Sequence, residues 1–167
     1  MLALFLPRLA TDRLHRRAKG ASWLSSAPSA DEPPLAVFAR AGNAFRLEAV
    51  DERAAEAGLA VGQPLAEARA RLPALVLVER DAAGEAETLA AIADWCDRFT
   101  PLVGLDHGFD GEAGLLLDVT GAAHLFGGEA AMVEEVVTRL AGNGFTARAA
   151  IAGTAAAARA VVRAGLD

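Results

Sequence analysis

Apolar and polar positions fall into short blocks whose periods change along the chain. Leu2 to Leu6 is an unbroken apolar run closed by Pro7, the pattern of a strand buried on both faces. Thr11 to Gly20 reads as a short basic helix, and residues 21–34, rich in Ser, Ala and Pro, as a loop. Leu35–Phe38 and Phe45–Val50 predict two strands around a turn at Arg40–Asn43. Asp51 is placed to cap a helix that stops at Gly58, and Gly62-Gln63-Pro64 opens another that runs to Leu72. Leu75–Val78 reads as a strand.

The second half is more regular. Leu89, Ile92, Cys96 and Phe99 lie on one stripe of a helix over Glu85–Phe99, with Trp95 beside it. Leu102–Leu105 and Leu115–Val119 predict an antiparallel pair joined by the polar, Gly-rich segment 106–114. Met132, Val133, Val136, Val137 and Leu140 mark a further helix with Gly142 at its end. A strand over Ala147–Ile151 precedes an Ala-rich helix capped by Thr154. With residues 9–78 set aside, the order is strand, helix, strand, strand, helix, strand. That is an α+β, ferredoxin-like (βαββαβ) arrangement with helices on one sheet face and a large insertion after the first strand.

Composition narrows the function classes. The 167 residues are 53% hydrophobic and 23% charged, enough for a proper core without disulfides or metals. Cys96 is the sole cysteine, which favours a reducing, cytoplasmic setting. The Leu2–Leu6 run falls far short of the ~20 residues that a bilayer demands, so no membrane role is expected. A net charge of -6 argues against a strong autonomous nucleic-acid binder. Arg8, Arg13, Arg16, Arg17 and Lys19 nonetheless cluster near the start against Asp12 alone, and they are the candidate phosphate contacts should DNA be bound weakly. A solvated helix face is the plainer alternative.

Catalytic patterns are sparse. His15, His107 and His124 have no recognisable triad partners, and both common glycine-rich phosphate loops are missing. Gly127-Gly128 opens a helix and reads as a plain helix entry rather than an anion site. The acids of segment 106–112 miss the EF-hand register and suit an exposed hairpin loop. Asp118, next to Thr120 and Gly121, suits a turn or cap better than a metal ligand.

Three stretches resemble the fingers and palm of Y-family (translesion, DinB/UmuC-like) DNA polymerases. Ala57-Gly58-Leu59-Ala60-Val61-Gly62-Gln63-Pro64-Leu65 through Arg69, with Leu72-Pro73-Ala74-Leu75, is similar to the fingers pattern FGV-x-x-GMPL-x-x-A … CP-x-L. Leu117-Asp118-Val119-Thr120-Gly121 is similar to the end of the palm signature SIDEA-Y/F-LDVT, and Phe145–Arg159 follows LTASIGIAPNKLLAK in hydrophobic outline. Their order and separations agree with the family across nearly the whole chain. The resemblance implies a palm formed by residues 1–8 and 79–167, a fingers-like insertion over 9–78, and a thumb, little finger and C-terminal region beyond this sequence.

The departures from the pattern matter as much. The family's first-strand catalytic Asp falls on Phe5, and the palm Asp-Glu pair, counted back from Asp118, falls on Ala113 and Gly114. The fingers Tyr and Arg that contact the triphosphate fall on Glu52 and Ala55, and the palm Lys on Ala155. Two Mg²⁺ ions need hard oxygen ligands, which none of the first three side chains supplies. A one-residue slip in the 106–114 loop would bring Glu112 to the Asp position but would not restore the first strand.

Together with Leu115–Glu129 and the opening Leu2–Pro7 followed by Thr11-Asp12-Arg13, these losses resemble the polymerase-like subunits of bacterial mutagenesis cassettes. That resemblance implies a non-catalytic adaptor without cofactors, linking an ImuA-like accessory protein, an error-prone replicative-type polymerase and the sliding clamp. Two alternatives stay open. One is an active polymerase with an altered metal site built from Asp106, Asp110, Glu112 and Asp118; the other is a stand-alone ferredoxin-like ligand-binding module, which leaves the fingers-like segment unexplained.

Overall fold

The computed structural model describes residues 1–27, 29–106 and 113–165. Two sheets share the chain. The first holds β1 (Leu2–Phe5), β5 (Val103–Asp106), β6 (Gly114–Leu117) and β7 (Arg148–Ile151) in the order β5-β6-β1-β7, every neighbour antiparallel. This is the ferredoxin-like strand order, with β1 central because its apolar run must be covered on both faces. Leu2, Leu4 and Leu6 point to one side and join Leu115, Leu117, Met132, Val136 and Leu140 in the main core. Helices α4 (Ala82–Cys96) and α5 (Glu129–Gly142) supply the other half of that core, and the stripe Leu89, Ile92, Cys96 and Phe99 is buried as its spacing requires.

The opposite face is covered too. Helix α6 (Ala155–Ala164) packs Ala158 and Val162 against Ala3, with Phe5, Leu116 and Ala150 around them. Helices on a single face was therefore too simple, because the alternation of β1 places Ala3 and Phe5 where a second layer is needed. Element ends shift for local reasons. Helix α4 begins before Glu85 because Asp81 accepts from the Gly84 amide at 2.9 Å. Gly142 remains inside α5, and the helix ends at Asn143 and the left-handed Gly144 instead.

The second sheet holds β2 (Leu35–Ala41), β3 (Ala44–Val50) and β4 (Val76–Glu79) in the order β3-β2-β4. β2 and β3 form a hairpin through Gly42-Asn43, whereas β4 returns parallel to β2 after α2 (Glu52–Glu56) and α3 (Leu65–Arg71). Ala36, Leu47, Ala54, Leu59 and Ala68 make its small core. Asp51 caps α2 by accepting from the Ala54 amide at 2.8 Å, while α3 starts at Leu65, one residue after Pro64. Within the segment read as a loop, Trp23–Ser25 forms one 3₁₀ turn. No helix of the described residues is long and apolar enough to cross a membrane.

Helix α1 (Leu9–Lys19) packs against α4 on one side and β2 and β3 on the other. It is the strut between the sheets.

Candidate functional site

One row of side chains crosses the four-stranded sheet from edge to edge. Asp106 pairs with Gly114, Gly114 with Phe5, and Phe5 with Arg148. Residues directly opposite one another share a face, so all four lie on the α6 side. Ala113 is the next residue along the chain, its carbonyl accepting from the Leu6 amide at 3.0 Å. Of the three positions where the palm pattern expects acids, the fold sets Phe5 and Gly114 opposite each other on this face, a phenyl ring and a hydrogen, while the Ala113 methyl packs against the main core on the other face. The strands are close at this point. A Cβ on Gly114 would stand 2.9 Å from the Leu4 carbonyl oxygen, nearer than a Cβ normally comes to backbone.

Asp106 is the carboxylate of the row, and Arg159 of α6 donates its Nε to it at 2.6 Å. That pairing was not legible beforehand; the Phe145–Arg159 outline located α6 but not its contact with a hairpin residue. Asp118 sits at the other end of the β5–β6 hairpin, where its amide donates to the Leu102 carbonyl. Its carboxylate accepts from Thr120 Oγ1 at 2.6 Å and Thr120 N at 3.1 Å, and these bonds hold it below the usual carboxylate range. Strand length separates Asp106 from Asp118 by roughly 13 Å at ~3.3 Å per residue, too far for one metal pair. Asp110, Glu112 and His107 lie outside the described residues. Among the described residues no group of three His, Cys, Asp or Glu side chains is placed to hold a metal ion. The described side chains therefore do not supply the ligand set for the two Mg²⁺ ions of a polymerase palm.

The three residues that the resemblance sets at nucleotide contacts lie on two separate helices. Glu52 opens α2, exposed, with its carboxylate 3.5 Å from Arg8 Nη1. Ala55 is exposed on the same helix, and Ala155 is the first residue of α6 behind the Thr154 cap. A carboxylate at 52 repels a triphosphate.

The basic cluster is distributed around α1 rather than gathered on one face. Arg8 meets Glu52, Arg13 pairs with Asp81, and Lys19 pairs with Glu32 while lying over the Trp23 ring. Arg16 donates to the Asn143 carbonyl at 2.9 Å and covers Phe145. Arg17 is exposed, near enough to Asp81 to help hold its carboxyl low after the Gly84 and Arg13 hydrogen bonds.

The face of α1 turned inward carries a network that the sequence did not announce. Asp12 is 1% exposed and accepts from the Thr146 amide at 2.6 Å; burial nevertheless pushes its carboxyl up to about 6. His15 Nε2 lies 3.1 Å from Asp51 Oδ2, and its ring stacks on Trp23 at 4.5 Å. Burial works to raise Asp51, but the bonds from His15 and Ala54 outweigh it and hold the carboxyl low. This network borders a cleft of ≈ 520 Å³ with Arg53 on its far wall, donating to the Ser29 and Glu32 carbonyls. Its polar groups are satisfied within the chain, as expected of a structural joint. His124 is exposed on a 3₁₀ turn (Ala123–Phe126), and Gly128 serves as the N-cap of α5, a plain helix entry.

Residues 21–163 match the impB/mucB/samB family. The chain belongs to that family. This impB/mucB/samB member is 51% identical over 110 residues to Protein ImuB of Caulobacter vibrioides, in strains NA1000 / CB15N and ATCC 19089 / CIP 103742 / CB 15 alike. The match covers 66% of this chain and 23% of the relative, so the chain spans about a quarter of the length of those curated relatives. Among solved structures it resembles a post-insertion binary complex of Dbh DNA polymerase, with TM-score 0.76 and 13% identity, covering 98% of this chain and 45% of that one. DinB from Sulfolobus solfataricus gives TM-score 0.71 and 14% identity, with 98% and 46% coverage. An insertion ternary complex of Dbh gives 0.73 and 14%, with 100% and 47%. The impB/mucB/samB chain thus has the fold of the Y-family DNA polymerases that it resembles.

Proposed function

We propose that this protein is a non-catalytic Y-family polymerase homologue that acts in the cytoplasm as an adaptor of induced translesion synthesis. Residues 1–8 and 79–167 act as its palm and 9–78 as its fingers. Its partners are an ImuA-like accessory protein, an error-prone replicative-type polymerase and the sliding clamp, some of them held through regions of a longer protein. DNA is bound weakly and without sequence preference, through those of Arg8, Arg13, Arg16, Arg17 and Lys19 that exchange internal partners for phosphates.

The supporting observation is the row Asp106–Gly114–Phe5–Arg148, with Ala113 beside it. Nucleotidyl transfer needs oxygen ligands that fix two cations beside the 3′-hydroxyl and the triphosphate. At the corresponding place the described residues of this sheet offer hydrocarbon, and the carboxylate among them, Asp106, is bound to the Arg159 guanidinium. A polymerase outline without the means to hold its metals suits a part that positions other proteins.

Primer extension with Mg²⁺ or Mn²⁺ tests the catalytic half of the proposal, with no incorporation expected. Incorporation that disappears on Asp106→Asn or Asp118→Asn overturns it. Co-elution with the purified accessory protein and replicative-type polymerase tests the adaptor half, and failure of both to bind removes it.

A further inference from the structure

At the Asp118 end of the palm hairpin two leucines lie open to solvent. Leu125 is 73% exposed and Leu102 62%. Both border one depression of ≈ 420 Å³ that also includes Phe99, Thr100, Asp118 and Thr120. Singly exposed leucines are ordinary, whereas two lining one concavity are not.

The concavity is preformed. Asp118 N donates to the Leu102 carbonyl at 3.0 Å, and Thr100 Oγ1 donates to the Asp118 carbonyl at 2.7 Å while accepting from Leu102 N at 3.2 Å. Asp118 is fixed by its two bonds from Thr120. Phe99 packs on Phe126 at 5.2 Å and on Trp95 at 5.4 Å, a firm aromatic base.

Carboxylates outnumber cations around it. Helix α4 ends beside it with Asp94 in the last turn and Asp97 as C-cap, and no basic residue in that turn. Acids there reinforce the negative end of the helix dipole, an unfavourable choice for stability alone. Asp118 adds a third carboxylate. On the basic side, Arg98 is folded over the Trp95 ring at 4.5 Å and donates to the Trp95 carbonyl, His124 is exposed on the neighbouring turn, and the Met1 ammonium is near enough to act weakly on Asp118. DNA phosphates meet repulsion at such a rim, and so does a second copy of a chain with net charge -6.

We infer that the Leu102–Leu125 depression docks a partner-protein segment that presents an apolar side chain flanked by lysine or arginine. The inference rests on the adaptor reading, for which it supplies one gripping surface. The leucines enclose the apolar side chain, and Asp97 and Asp118 receive the flanking cations.

The test is amide chemical-shift mapping on the ¹⁵N-labelled protein. The probes are a synthetic peptide with a Leu-Phe pair between lysines and a second peptide with glutamates in place of the lysines. Shifts confined to residues 99–102 and 118–125 are expected with the lysine peptide, and none with the glutamate peptide. The double variant Leu102→Ser/Leu125→Ser, altered only at exposed positions, should bind at least about tenfold more weakly. Asp118→Asn, which keeps an acceptor for Thr120, should weaken binding about threefold and flatten its salt dependence. No binding, shifts elsewhere, equal response to both peptides, or undiminished binding by the double variant overturns the inference. So does displacement of the peptide by duplex DNA, or dimerisation that the serines abolish. Primer extension remains an independent readout: incorporation would remove the adaptor reading and leave the peptide result standing, and the reverse.

Discussion

Gly144 accepts a hydrogen bond from the Trp23 indole at 2.9 Å, joining residues 121 positions apart. The contact ties the 3₁₀ turn after α1 to the end of α5. Gly144 has φ +84°, and a Cβ there would stand 2.8 Å from both the Ala21 carbonyl oxygen and Trp23 Cδ1. Gly144→Ala therefore combines left-handed strain with a backbone clash and should lower stability by about 2 kcal/mol or more. Trp23→Phe loses only the indole donor and part of a ring, and should lower it by about 1 kcal/mol. Urea unfolding of both variants checks the order; equal effects would contradict it.

Gly114 makes a second close approach, this time within the sheet. With the Leu4 carbonyl 2.9 Å from the position of a Cβ, Gly114→Ala should force β1 and β6 apart and destabilise the protein by about 1–3 kcal/mol. Gly121, whose added Cβ meets nothing within 4 Å but whose φ is +75°, is the control that separates packing from backbone strain. Thermal melts of the two alanine variants supply the comparison.

Asp12 should impose a distinct pH dependence. Burial raises its carboxyl from 3.8 to about 6, so between those values the folded protein holds a proton that the unfolded chain has released. Stability from this group is complete below about pH 4, declines as the pH rises through 6 and stays lower above it, by about 3 kcal/mol in total. Asp12→Asn keeps an acceptor for the Thr146 amide and removes the ionisation. The variant should match the wild type near pH 4 and exceed it at pH 7.5 in chemical denaturation, and a pH-independent difference would refute the assignment.

Asp51 serves two partners at once, capping α2 through Ala54 and receiving His15. Asp51→Ala removes the cap and leaves a buried imidazole without its acceptor, a loss of about 2–4 kcal/mol. Asp51→Asn retains an oxygen for the cap and should recover at least half of it. Circular dichroism during guanidinium unfolding distinguishes the two.

The palm was legible because its signals are local and periodic. An apolar run closed by Pro7, the α4 stripe and two strands around a polar loop suffice to give the strand order. The second layer over Ala3 and Phe5 was less visible, since small residues on β1 and an alanine-rich α6 leave a weak amphipathic imprint. The parallel return of β4 beside β2 depends on a crossover, which no periodicity encodes. At the site, the motif spacing singled out Phe5, Ala113 and Gly114; the register sets Phe5 opposite Gly114, while the Ala113 methyl turns to the main core. What it could not reveal was the occupation of neighbouring charges. Asp12, read as the lone acid in a basic stretch, turned out to be a buried joint, and Arg159 found Asp106 across 53 positions.

Helix α1 has a mechanical consequence. On one side Asp12 holds Thr146 and Arg16 holds Asn143; on the other His15 holds Asp51 and Lys19 holds Glu32. Tilting either sheet would pull a buried carboxylate from its donor with no water to replace it. The helix is a crossbar fastened at both ends, and a load applied to one sheet is borne by the other.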